Sequence, residues 1–241
     1  MNKLRLDQAL VQARHLRSRS QAESYIKLGK VSVNGQVITK PGHPVSTTDD
    51  VQLVQKELYV SRAGLKLAGA AEKFKLDFAK KMVLDVGSST GGFTDYALRH
   101  GAVKVIAVDV GSGQMHPSLR GDKRIELHEK TDIRNFQKRR LEKVDIVLID
   151  VSFVSLSKIL PAVATLCSKK TQIVVLAKPQ FEASADQLSR GIVKNDTVRR
   201  RILSNFELWA RKSFQVIDKS DSEIAGAHGN RERFYLLKSL Q

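Results

Sequence analysis

Hydrophobic and polar positions change rhythm near residue 80. Downstream, apolar runs rich in β-branched residues, Met82 to Val86, Val103 to Val108, Val144 to Ile149 and Ile173 to Ala177, alternate with helical periodicity over Gly92 to Arg99, Ser155 to Cys167 and Thr197 to Lys212. Unbroken apolar runs are what parallel strands buried on both faces require. Val216 to Asp218 and Phe234 to Leu237 add two closing strands. The pattern predicts a doubly wound, mostly parallel α/β domain over 82–241, with ligands beyond the carboxyl ends of its strands. Upstream the units are shorter. Leu4, Leu6, Ala9, Leu10 and Val11 predict one amphipathic helix, and Ser20, Ala22, Tyr25, Ile26 and Leu28 a second that Gly29 stops. Val31 to Ile38 places two β segments around Asn34-Gly35, a hairpin signal, and Val51 to Val54 and Leu58 to Val60 predict further strands. Residues 1–60 therefore read as a small α+β module, and 61–81 as a linker with a first helix.

The first run feeds Asp85-Val86-Gly87-Ser88-Ser89-Thr90-Gly91-Gly92-Phe93-Thr94-Asp95, a glycine turn opening a helix. Glycines let a backbone approach a ligand where a Cβ would collide. Asp109 ends the second run twenty-two residues after Gly87, where a carboxylate meets a ribose diol. The spacing is G-x-x-x-G-G with acids at both ends, not the G-x-G-x-x-G of a pyrophosphate turn. S-adenosylmethionine, which has no phosphate to cradle, fits it better than a dinucleotide.

Charge narrows the partners. The 241 residues carry a formal net charge of +16, so attraction to a polyanion is expected, nucleic acid first. The sequence has no run of eighteen apolar residues, no signal-peptide pattern and no lipidation motif, which predicts a cytoplasmic protein with no obligatory membrane. The single cysteine, Cys167, forms no internal disulfide and is expected mid-helix in the core. The six histidines are scattered without metal-site spacing, so no metal is expected. Basic tracts run from Arg120 to Lys143 and from Arg190 to Lys212, including Arg199-Arg200-Arg201. The polar stretch Glu182 to Asn195 is long enough to be a mobile cover.

Arg5-Leu6-Asp7, Arg17-Ser18-Arg19-Ser20-Gln21-Ala22 and Ile26 to Gly35 resemble the small RNA-binding domain of the S-four type. On it Arg5, Arg14, Arg17, Arg19, Lys27 and Lys30 are candidate phosphate contacts. No aromatic platform interleaves them, which favours shape and phosphate recognition over base readout.

Two more runs end in ionisable groups: Val147-Leu148-Ile149 delivers Asp150, and Val174 to Ala177 delivers Lys178. The two are either a structural ion pair or a lysine base oriented by an aspartate. Together with Ser61 to Leu67, Asp85 to Asp95, Asp150 to Leu156, Lys178 to Glu182 and Gly229 to Glu232, they resemble, over essentially the whole chain, the TlyA / hemolysin A family. That family comprises S-adenosylmethionine-dependent ribosomal RNA 2′-O-methyltransferases related to the FtsJ group.

The resemblance implies a Rossmann-like methyltransferase domain and a catalytic tetrad at Lys66, Asp150, Lys178 and Glu232. Lys178 would assist removal of the 2′-hydroxyl proton, Asp150 would hold it, and Lys66 and Glu232 would set local charge and orient the ribose. Asp85, Gly87, Ser88, Ser89, Gly91, Gly92, Phe93, Asp109, Asp132 and Asp150 are the implied cofactor contacts, with Asp132 toward the adenine amine, where family members often carry asparagine. Ribosomal RNA or ribosomal subunits are the implied partner. The alternatives are a non-catalytic RNA-binding or ribosome assembly factor and an indirect haemolytic activity.

Overall fold

The computed structural model describes residues 3–16, 19–27, 29–54, 59–136, 144–226 and 229–240. The N-terminal module runs β1 (Leu4–Arg5), α1 (Leu6–Gln12), α2 (Arg19–Lys27), β2 (Val31–Val33), β3 (Gln36–Val37), β4 (Pro44–Val45) and β5 (Val51–Leu53). Asn34 and Gly35 both take positive φ, 51° and 78°, as a tight hairpin between twisted strands requires. β1 pairs with β4, and β2 stands between β3 and β5. The strand expected over Leu58 to Val60 does not form at Tyr59-Val60, and Leu58 lies outside the described residues. The Val60 N–H donates instead to Asp95 Oδ2 at 2.9 Å, so this segment docks onto the larger domain rather than onto a sheet.

α3 (Arg62–Phe74) crosses the start of α4 (Gly92–Arg99). The crossing is backbone on backbone: a Cβ at Gly64 would lie 2.9 Å from the Gly92 carbonyl oxygen, and one at Gly92 would lie 2.9 Å from the Gly64 nitrogen. Only glycine permits that approach, which sets the depth at which Lys66 sits.

The large sheet contains β6 (Met82–Val86), β7 (Lys104–Val108), β8 (Ile125–His128), β9 (Ile146–Ile149), β10 (Gln172–Ala177), β11 (Phe214–Asp221) and β12 (Arg233–Ser239), in the order β11-β12-β10-β9-β6-β7-β8. Five strands are parallel, and β12 is antiparallel to both its neighbours. α5 (Pro117–Arg120), α6 (Leu156–Ala164), α7 (Pro179–Glu182) and α8 (Asp196–Ala210) complete the connections. The chain builds outward from β6 in one direction, then returns to build in the other, so the crevice opens beyond the ends of β6 and β9. β8, which the pattern of apolar runs does not predict, is a half-buried edge strand in which Glu126 and His128 break the apolar run.

Strand alternation sends Val83 to one face and Leu84 and Val86 to the other, giving two packed layers. The first layer runs without a break from Leu6, Leu10, Tyr25 and Ile26 to Leu65, Val83 and Phe93, so both modules share one hydrophobic core.

Three expectations need correction. Cys167 lies beyond α6, not within it; it still packs inward, and burial pushes its thiol up to about 12. The stretch Glu182 to Asn195 is pinned rather than free: Asn230 accepts from the Val193 N–H at 3.1 Å and donates to the Gly191 carbonyl at 3.1 Å, and a 3-10 turn forms at Ala185–Gln187. Arg199, within the basic tract Arg190 to Lys212, does not face solvent with the other basic residues of that tract: it is buried and donates to the Arg231 carbonyl and to Asp221. Among the described residues no helix is long and apolar enough to cross a membrane, and no acid, histidine or cysteine cluster could hold a metal.

Candidate active site

The turn after β6 alternates left-handed residues, Gly87 (φ 83°), Ser89 (46°) and Gly91 (88°). Gly87 is obligatory because a Cβ there would stand 2.8 Å from the Asp150 carbonyl oxygen. The three glycines expected to line a ligand divide their work. Gly87 borders the cavities, Gly91 packs on Met115 and Leu119, and Gly92 makes the helix crossing. Asp95, at the far end of the turn, faces the Tyr59–Ser61 segment and pairs with Arg99 at 2.7 Å.

Asp85 is fully buried. Thr94 Oγ1 donates to its Oδ2 at 2.6 Å, while Oδ1 has no protein partner. Burial pushes its carboxyl up to about 7, against the Thr94 hydrogen bond. The Ser88 hydroxyl is also buried without a partner. Orphaned polar atoms beside a glycine turn are what a polar ligand would satisfy.

A cavity of ≈ 520 Å³ extends from Gly87 past Asp109 and Asp132 to Phe153. Asp109 accepts the Ser89 N–H and the Gly111 N–H, both at 2.7 Å, which leaves each oxygen a free lone pair. Asp132 is closed on one side by Arg134, 2.6 Å away, whose guanidinium holds the carboxyl below its ordinary value. The exposed Val110 and the buried Ile133 supply apolar walls.

A second cavity of ≈ 200 Å³ joins Gly87, Ser88 and Phe93 to Asp150, Ser152 and Lys178. Lys178 Nζ lies 2.7 Å from Asp150 Oδ1 as an ion pair off the hydrogen-bonding direction, and donates to Ser152 Oγ at 2.8 Å. Lys66 Nζ meets Glu232 Oε2 at 2.6 Å, with the two side chains 9% and 2% exposed. The pairs converge on one edge. Ala177 opposes Arg233 in the β10–β12 register, so Lys178 and Glu232 are the next residues on facing strands. The four residues of the implied tetrad thus form two ion pairs at the edge where the parallel strands end, Glu232 entering it just before β12 and Lys66 from α3.

Several residues around this edge have no role assigned from the sequence. Phe153 is 91% exposed at φ 64°, its ring 5.1 Å from Phe181 and at the mouth of the larger cavity. A bulky residue in that conformation costs about 1–3 kcal/mol, and such strain concentrates at functional sites. Gly226 lies so close to Glu232 that a Cβ would stand 1.9 Å from Oε1. Glu182 caps α6 through the Leu156 N–H and the Ser155 hydroxyl, and burial raises its carboxyl pKa.

On the N-terminal module, fully buried Asp7 accepts from Arg5 at 2.8 Å and Arg19 at 3.0 Å, and both guanidinium groups stay about half exposed. Arg14 and Lys27 are exposed, and Lys30 lies 5.8 Å over the Tyr59 ring. Arg17 lies outside the described residues. A groove of ≈ 610 Å³ between the modules, lined by Lys30, Tyr59, Tyr96 and His100, contains none of the strand-tip groups.

The FtsJ-like methyltransferase family model matches residues 59–239, and the S4 domain model matches residues 4–51. Hemolysin A of Brachyspira hyodysenteriae is 39% identical over 233 residues, 95% of this chain and 97% of its own. The 16S/23S rRNA (cytidine-2′-O)-methyltransferase TlyA of Mycobacterium tuberculosis is 38% identical over 240 residues, 98% of this chain and 90% of its own. A solved Streptococcus thermophilus chain named a hemolysin superposes with a TM-score of 0.73 at 36% identity, covering 99% of this chain and 89% of that one.

Proposed function

The chain belongs to the FtsJ-like methyltransferase family, and on that premise we propose that it methylates a ribose 2′-hydroxyl of ribosomal RNA using S-adenosylmethionine. The observation that carries the reading is the Lys178–Asp150 ion pair, 2.7 Å apart, in a cavity that shares Gly87 with the larger one.

The residues present fit the cofactor. Buried Asp85 Oδ1 without a partner suits an ammonium group, Gly87 leaves its backbone open, and Asp109 retains lone pairs for a diol. Ser88, Ser89 and Phe93 line the cavities beside the turn that Gly91 and Gly92 shape by packing, Asp132 on the wall of the larger cavity is the candidate for the adenine amine, and Asp150 borders both cavities. The bound cofactor supplies an activated methyl group, so the protein's contribution is positioning and proton removal.

Lys178 Nζ assists removal of the 2′-hydroxyl proton, which passes to water, as the oxygen takes the methyl group. Asp150 and the Ser152 hydroxyl hold Nζ in place. Glu232, neutralised by Lys66, sits beside Lys178 in strand register and orients the ribose. Phe153 offers an exposed aromatic face on which the target base stacks.

Residues 1–60 grip RNA through Arg5, Arg14, Arg17, Arg19, Lys27 and Lys30, residues 61–81 deliver Lys66, and residues 82–241 carry the cofactor. The place of action is the cytoplasm, where ribosomal RNA is found. Transfer of labelled methyl to unmodified ribosomal subunits and naked ribosomal RNA tests this. Wild type transfers label, and Lys178→Ala binds S-adenosylhomocysteine normally but loses at least ~100-fold in rate, the scale of general-base catalysis. An unaffected rate in Lys178→Ala refutes the assignment.

A further inference from the structure

We infer that Gln114 is a ribose-recognition residue of the cofactor cavity, donating through Nε2 to the hydroxyl oxygens whose protons Asp109 accepts. The inference rests on the cofactor reading above and adds a residue to it.

The segment Gln114–His116 is fastened to the glycine turn at three points. Ser89 Oγ donates to Gln114 Oε1 at 3.0 Å, the His116 N–H donates to the Thr90 carbonyl at 3.2 Å, and Met115 packs on Gly91. The carboxamide oxygen is therefore committed to the turn, and the nitrogen falls on the other side. There Nε2 lies against Gly111, 1.9 Å from where a Cβ would stand, so glycine at 111 is what makes room for it. Gly111 is also the residue whose N–H holds Asp109 Oδ1 at 2.7 Å. Nε2 thus stands beside the Asp109 carboxylate, on the wall of the same cavity.

The chemistry of a vicinal diol calls for both groups. Each hydroxyl is one donor and two acceptors, whereas an ionised carboxylate only accepts. Asp109 can take the two hydroxyl protons but leaves the hydroxyl oxygens without a donor. Its own backbone donors, Ser89 and Gly111, are already used on the carboxylate. Asp132 is acidic, and the Arg134 guanidinium is turned onto it through Nε and Nη2. Gln114 Nε2 has two N–H groups and no hydrogen bond to any described residue, so it is the free donor beside Asp109. Acceptor and donor side by side recognise a diol and discriminate against a ligand that lacks one.

Calorimetric titration of the full chain with S-adenosylhomocysteine, and with the same compound lacking both ribose hydroxyls, tests the inference on wild type, Gln114→Leu and Gln114→Glu. Wild type prefers the diol compound. Gln114→Leu loses about tenfold in affinity for it, the equivalent of one hydrogen bond, and nothing for the dideoxy compound. Retained binding of the dideoxy compound reports a folded variant. Gln114→Glu, which sets a second acceptor beside Asp109, loses more than Gln114→Leu. Unchanged affinity of Gln114→Leu for the diol compound, or equal losses for both compounds, overturns the assignment. Wild type that binds neither compound refutes the cofactor reading itself, a failure distinguishable from that of Gln114.

Discussion

Glu232→Gln keeps the shape of the Glu232 side chain and removes its charge, leaving the Lys66 ammonium facing it with nothing to balance it. The two groups meet at 2.6 Å and are 9% and 2% exposed. At an effective dielectric constant of about 20, unit charges at that separation attract by about 6 kcal/mol, and taking each ion out of water costs several kcal/mol. The intact pair therefore contributes little net stability. Breaking it is another matter: Glu232→Gln is expected to cost ~3–5 kcal/mol, because one buried charge remains. Lys66→Met strands the carboxylate at similar cost. The double variant Lys66→Met/Glu232→Gln removes both charges and recovers most of the loss, giving a coupling of at least ~2 kcal/mol in the cycle. Lys73 and Glu223, 3.7 Å apart and half exposed, serve as control with a coupling below ~1 kcal/mol. Urea unfolding of the four proteins at one pH, with slopes compared to confirm a common unfolded state, supplies the numbers. A cost below ~1 kcal/mol for Glu232→Gln, or a double variant equal to the sum of the singles, refutes the reasoning.

Asp85 has a folded-state pKa of about 7, raised by burial above the unfolded value, so its contribution to stability is present below pH ~4 and lost as pH rises toward 7. Thermal unfolding without cofactor is expected to show that decline, and Asp85→Asn to flatten it. S-adenosylhomocysteine, whose ammonium group favours the ionised carboxylate, binds more tightly at pH 8 than at pH 6 in wild type but not in Asp85→Asn; equal pH profiles in calorimetry count against this. Asp7→Asn leaves Arg5 and Arg19 without their shared carboxylate and is expected to weaken RNA binding several-fold at fixed salt with cofactor affinity unchanged, as filter binding and calorimetry measure. Phe153→Ala removes the exposed ring and is expected to raise KM for RNA about tenfold, the scale of one base stack, leaving cofactor binding intact; an unchanged KM rules out stacking.

The residues most legible in the sequence are those at the ends of continuous apolar strands. Asp109, Asp150 and Lys178 each follow such a run and Asp85 stands one residue before the end of one, and a parallel sheet places all four toward one edge whatever the loops do. The N-terminal hairpin is legible for a similar reason, since Asn34-Gly35 suits only a turn with two positive φ values. What the linear pattern hides is pairing across distance. Lys66 and Glu232 are 166 residues apart, and nothing local marks them as an ion pair. Arg199 looks like part of a basic face but folds inward because Asp221 and the Arg231 carbonyl are waiting there. The stretch Glu182 to Asn195 reads as a loose cover because its tether, Asn230, belongs to the far end of the chain. Gly92 looks like a ligand-facing glycine, yet the helix crossing with Gly64 uses it. In each case the deciding partner is tertiary.

The central claim is that the methyl group ends on a ribose oxygen of ribosomal RNA. Unmodified ribosomal RNA and subunits should be incubated with the protein and labelled S-adenosylmethionine, digested to nucleosides and analysed by mass spectrometry. The account predicts label only in 2′-O-methylated nucleosides, and its disappearance with Lys178→Ala. Label on a base, or none on any ribosomal RNA while the protein binds both RNA and cofactor, would contradict it.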